Sequence, residues 1–128
     1  MTEPIVLGPG EGRAYELGSM RGVFKADGPE TEDRYCVPEW TVEPGQPGPG
    51  PHYHEANEEI FLVTEGTMRF LLGEEWIEAA AGTFLRIPAG VTHDFENRGD
   101  QPATAFNVFI PGGFEAPFRE WVEGSTPA

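Results

Sequence analysis

A single cysteine, Cys36, is all the chain has, so no disulfide can form within it. That economy fits a reducing compartment, and a cytoplasmic location is expected. Long apolar runs are also missing. The longest are four or five residues, against the roughly 18 that a membrane-crossing helix needs. The opening residues, MTEPIVLGPGEGR, have neither the basic region nor the apolar stretch of a secretory leader. Positive charge is scarce as well. Lys25 and seven scattered arginines face 22 acidic residues, for a net charge of −14 and a pI near 4.4. Such a surface repels phosphate backbones and anionic lipid, so neither nucleic acid nor a membrane is an expected partner. Histidine is scarce too: there are three, His52, His54 and His93.

What the chain does have is glycine, proline and aromatic residues: 17 Gly, 13 Pro, nine Phe, three Trp and three Tyr in 128 residues. The length suits one domain, 1–128, with one core. Gly and Pro fall between short, β-branched and aromatic runs, the pattern of strands joined by turns. Strands are expected at 13–17, 22–25, 34–43, 58–64, 68–72, 75–78, 83–87, 93–97 and 104–110. Pro38 implies a bulge or an edge position in the third of these. LLGEEW reads as a hairpin turning at Gly73–Glu74. EPGQPGPGPH is too rich in Pro and Gly for regular structure and reads as a stiff loop leading to His52. Only FEAPFREWVEG has helical spacing, through Phe114, Phe118, Trp121 and Val122. Ser125–Ala128 is expected to be a frayed tail. Strands about ten residues apart without intervening helices exclude a parallel βαβ sheet and predict an all-β sandwich or barrel with a short C-terminal helix.

In HYHEANEEIFLVTEG, residues two apart in extended chain share a face, so His52 and His54 project together and Tyr53 points away. Glu59 opens the next strand, with Phe61 and Val63 on its face. Glu58, of opposite parity, is the alternative carboxylate. Imidazole and carboxylate are the usual ligands of divalent first-row metals, which makes His52, His54, Glu59 and the distant His93 a candidate four-ligand set.

Two longer patterns contain these residues. PHYHEANEEIFLVTEG resembles the first motif of the cupin superfamily, through His52, His54, Glu59 and Gly66. It departs from that motif six residues before His52, where Gln46 replaces glycine and Gly45 and Gly48 flank it. GTFLRIPAGVTHDFEN resembles the second cupin motif, through Gly82, Pro88, Gly90, His93 and Asn97. The resemblance spans about residues 10–123. It implies a double-stranded β-helix, a small jelly-roll barrel, with one divalent metal ion (Ni, Co, Mn, Fe, Cu or Zn) held by His52, His54, Glu59 and His93.

Three histidines and one carboxylate leave coordination positions open, which suits catalysis, with Glu59 also able to act as a base. The ending FIPGGFEAPFREWVEG and the single compact domain resemble the quercetin 2,3-dioxygenase-like monocupins. Those proteins open the central ring of a flavonol with dioxygen and release carbon monoxide. That resemblance implies dioxygen and a flat phenolic small molecule as partners. Non-redox chemistry on the same ligands (isomerase, lyase or polyketide cyclisation) and non-catalytic binding of a small molecule are the alternatives. The expected pocket walls are Phe61, Val63 and Phe95, with either Phe106 and Val108 or Asn107 and Phe109 from the last strand. Arg86 shares a face with Phe84. It would grip an anionic group if that face is interior, and is solvated if it is exterior. A homodimer is expected by resemblance.

Overall fold

The computed structural model describes residues 3–125. All nine expected strands form: β1 Arg13–Leu17, β2 Met20–Ala26, β3 Val37–Val42, β4 Glu58–Glu65, β5 Thr67–Leu72, β6 Glu75–Ala80, β7 Phe84–Ile87, β8 His93–Glu96 and β9 Ala103–Ile110. They make two antiparallel sheets, one of six strands in the order β1-β2-β3-β9-β4-β7 and one of three in the order β6-β5-β8. One helix, α1 (Glu115–Ser125), follows the last strand. Ser125 closes this helix, and the rest of the expected tail, 126–128, lies outside the described residues.

Period-two alternation builds the core. In β4 the buried residues are Glu59, Phe61 and Val63, and in β9 they are Ala103, Ala105, Asn107 and Phe109. Their inner faces meet Met68 and Phe70 of β5 and Phe95 of β8 in one hydrophobic cluster. Phe61, Phe70 and Phe95 pack in T-shaped and tilted pairs with ring centroids 5.0 to 6.0 Å apart, separations that favour aromatic pairs.

Where the elements differ from expectation, the backbone explains it. The third strand begins at Val37 rather than residue 34, because Gly28–Thr31 forms a 3₁₀ turn. Glu32 and Asp33 then take left-handed conformations. Pro38 is not on an edge, since β3 lies between β2 and β9. The missing N–H is accommodated by a register shift between Phe24 and Ala26 of β2, opposite Pro38 and Val37. The hairpin at Gly73–Glu74 forms, with Leu72 paired to Glu75. The early turn uses Gly45 (φ 72°), so the glycine of the first motif is displaced by one residue.

Gly66 turns the chain between β4 and β5 at φ 68°, and a Cβ there would lie 2.4 Å from the Pro102 carbonyl oxygen. Positive φ and steric conflict combine at this position. Gly66→Ala is expected to cost about 1–3 kcal/mol of folding stability, read as a lowered midpoint in urea unfolding. An unchanged midpoint would show that the β4–β5 turn relaxes freely.

Candidate metal centre

Three separate pieces of chain bring the site together. Glu59 comes from β4 of the six-stranded sheet and His93 from β8 of the three-stranded one. His52 and His54 lie on the Pro/Gly-rich segment between β3 and β4. That segment is not a regular strand. It is held extended by a single reciprocal bridge, in which His52 N donates to His93 O (3.0 Å) and His93 N to His52 O (2.8 Å). Further support comes from Gly90 N donating to His54 O (2.8 Å) and from a second bridge, Pro47 with Glu96. The expected parity survives without the strand: both imidazoles turn inward and Tyr53 is exposed.

One ligand atom from each of His52, His54, Glu59 and His93 lies within 4.8 Å of the others. Glu59 and His93 are each 2% exposed. The ring orientations are set by backbone carbonyls, with Nδ1 of His52 2.7 Å from Gly50 O and Nδ1 of His93 2.9 Å from Val91 O. A carbonyl can only accept, so Nδ1 carries the hydrogen in both rings and Nε2 is left with its lone pair free. Among the described residues, the buried side-chain atoms without a hydrogen-bond partner are His54 Nε2, Glu59 Oε2 and His93 Nε2. Glu59 Oε2 is 2.6 Å from His93 Nε2 and 3.3 Å from His54 Nε2, and a His93 ring whose hydrogen is on Nδ1 has none at Nε2 to share with it. Buried polar atoms are rarely left unpaired, because each costs about 1–3 kcal/mol. Three of them converging fit a metal cation, to which neutral imidazole nitrogens and a carboxylate oxygen can each offer a lone pair, and these four residues could bind one.

Electrostatics agree with that fit. Burial holds the His54 pKa below the usual imidazole range, opposed by the Glu59 carboxylate and reinforced by His52 and His93. At His93 burial pulls the same way, but Glu59 and the Val91 carbonyl outweigh it and the pKa is raised. The carboxylate therefore draws positive charge toward the histidine cluster.

Above the ligands is a cavity of about 30 Å³, walled by Met20, Trp40, Phe95, Phe109, Phe114 and Phe118. A water needs roughly 10–15 Å³ of such space, so the cavity has room for about two or three molecules of that size. Phe109 and Phe114 stack at 4.3 Å, and both rings contact His54. The wall on the α1 side is latched in place. The Asp27 carboxylate accepts from Gly113 N (2.7 Å) and Glu115 N (2.8 Å), and Glu115 in turn accepts from Tyr15 and Arg13.

Of the expected wall residues, Phe95 lines the cavity, whereas Phe61 and Val63 are fully buried in the core and do not. Arg86 belongs to the outer face: it is exposed and pairs with Glu58 at 3.7 Å. An interior cation at this position is thereby corrected. The open choice on β9 resolves to Asn107 and Phe109 inward, with Phe106 36% exposed. Trp40, Phe114, Phe118 and Asp27 belong to the site or its support without any signal in the two motifs. A polar residue at an inward parity position, as Asn107 is between Ala105 and Phe109, is the one signal that alternation offered.

A family model described as "Cupin domain" matches residues 38–109, which include all four candidate ligands. A search of the curated proteins returns no match. Among solved structures, the polyketide cyclase RemF from Streptomyces resistomycificus is 28% identical, with 79% of this chain and 69% of that one covered and a TM-score of 0.64. An RmlC-like cupin from Shewanella frigidimarina is 16% identical over 90% of this chain and 96% of its own, with a TM-score of 0.73. A predicted oxalate decarboxylase from Thermotoga maritima is 20% identical over 72% and 80%, with a TM-score of 0.68. The last two share the fold alone.

His93→Ala is expected to lower metal affinity by at least about tenfold, the scale on which even outer-shell changes act, while the sheets stay folded. Elemental analysis beside circular dichroism checks this, and full metal retention would remove His93 from the ligand set. Glu59→Gln should reduce metal content far more than Glu58→Gln, whose carboxylate faces Arg86; the reverse order would reassign the carboxylate.

Proposed function

The chain belongs to the cupin family, and we propose that it is a metal-dependent enzyme acting on a flat phenolic small molecule, with dioxygen as co-substrate. The observation that carries this reading is the convergence of three unpartnered buried donor atoms beneath an aromatic-walled cavity. A closed structural site would have no need of a cavity at its open side.

When bound, a divalent transition metal would supply Lewis acidity toward a substrate hydroxyl and, if redox-active, electron exchange with dioxygen. The remaining work falls to the chain. Glu59 Oε2 faces the histidine cluster with no hydrogen bond of its own, so it is the group placed to take the proton of a phenolic hydroxyl. Carboxylates are effective bases when held within hydrogen-bond reach in a dry site. Trp40, Phe109 and Phe114 offer ring faces and edges to a flat substrate and exclude water from it. A bicyclic ring system exceeds about 30 Å³, so its admission requires displacement of wall side chains such as Phe114, just before α1, and Phe118, within it.

Non-redox chemistry on the same residues is the second reading, favoured by the 28% identity to a polyketide cyclase. There Glu59 would move protons on a polyphenolic chain without consuming oxygen.

Oxygen-electrode measurements on metal-loaded protein with a flavonol separate the two. Substrate-dependent dioxygen loss that disappears in Glu59→Gln is expected. Metal binding with no oxygen uptake, and turnover of a polyketide-like phenol under nitrogen, would overturn the dioxygenase reading and support the second.

A further inference from the structure

Behind Glu59 runs a buried chain of side-chain hydrogen bonds. Trp40 Nε1 donates to Asn107 Oδ1 at 2.9 Å, and Asn107 Nδ2 donates to Glu59 Oε1 at 3.4 Å and to Ile60 O at 2.9 Å. The three residues sit on adjacent strands β3, β9 and β4. All are within the core, with Asn107 fully buried. Building on the metal-site reading, we propose that Asn107, with its amide orientation set by Trp40, positions the Glu59 carboxylate so that Oε1 is held away and Oε2 alone is presented to the metal.

The chemistry of the three groups dictates the direction of the chain. An indole N–H only donates, so the atom of Asn107 that faces it must be the oxygen. The two amide hydrogens are then left to face β4, where Ile60 O takes one and Glu59 Oε1 the other. Reversing the amide would set donor against donor at Trp40, at the cost of unpaired buried groups. One oxygen of Glu59 is therefore partnered and the other is not, as the unpaired Oε2 shows. Space for the indole is provided by Gly22 on β2, its cross-strand partner. A Cβ at Gly22 would stand 2.4 Å from the Trp40 ring.

Asn97 makes a useful contrast. It is equally buried, yet all its bonds go to backbone groups of residues 42, 99 and 101, which is a purely structural role. Asn107 spends two of its three bonds on side chains, one of them the candidate ligand. Ligating carboxylates held by such outer partners typically lose about 10–100-fold in metal affinity when the partner is removed.

Full-length protein stripped with a chelator and titrated with Co²⁺ tests this, by chelator competition for affinity and visible absorption for the ligand arrangement. Asn107→Leu is expected to weaken Co²⁺ binding by about 10–100-fold and to move its absorption bands; Trp40→Phe should move both in the same direction by less. A merely structural Asn107 would lower the melting temperature and leave the bands and affinity where they are in the wild type, and that result overturns the proposal. If Asn107→Leu does not fold, Trp40→Phe decides alone, with unchanged bands and affinity counting against the relay. Wild-type protein that binds no Co²⁺ would overturn the metal-site reading itself, and this inference with it. Failure of the two ideas is thus told apart.

Discussion

The carboxylate of Glu59 is buried between two sheets, and the surrounding structure is organised by what that burial demands. Removing a carboxylate from water costs several kcal/mol unless charge and hydrogen bonds compensate. The chain has 22 acidic residues and eight basic ones, and among the described residues the ion pairs of Glu59 are with His54 and His93, not with lysine or arginine. Its compensation comes from Asn107 at one oxygen and three inward-facing imidazoles near the other. A cation shared among those rings would satisfy the carboxylate and the unpaired Nε2 atoms together. The scarcity of histidine is consistent with that use: all three lie within one cluster.

Convergence of the four side chains depends on two sheets keeping their spacing at one end of the sandwich. Glu59 is fixed by β4, which has neighbours on both sides, and His93 by β8, which is paired to β5 on one side. The other side of β8 takes the Pro/Gly-rich segment, through the bridges at Pro47 and His52. Gly48 lies so close to the Phe95 carbonyl that a Cβ there would come within 1.9 Å. Proline and glycine thus do two things in this stretch. They deny it regular structure, and they let it lie flat against β8 so that the pair of histidines arrives beside the third.

Packing then determines what kind of molecule the centre can meet. Trp40, Phe95, Phe109, Phe114 and Phe118 make the space above the ligands apolar and small. Polar attachment is confined to the back of the wall, where Asp27 and Glu115 anchor the start of α1. The wall is thus held twice, by aromatic packing of Phe114 and Phe118 on the core and by polar bonds from Glu115 to Arg13 and Tyr15 of β1.

Sequence alone determined the local properties. Strand number, the hairpin at Gly73–Glu74, the inward parity of Glu59 against Glu58, and the candidacy of the four metal-binding side chains all follow from alternation, turn chemistry and motif spacing, which act over a few residues. Tertiary structure decided everything that depends on which faces meet. Alternation places Phe84 and Arg86 together without saying whether their face is inside, and pairing with β4 turned it outward. Alternation likewise places Phe61 and Val63 beside Glu59, but depth along the strand put them in the core rather than the cavity. Trp40, Asn107 and Phe114 join Glu59 and His54 from positions 19, 48 and 60 residues away in the chain, across strand pairings that no local pattern encodes. The ligands were legible because each lies within a short motif, His52, His54 and Glu59 in one and His93 in the other, and their walls and supports were not because those are made by the closure of one sheet over the other.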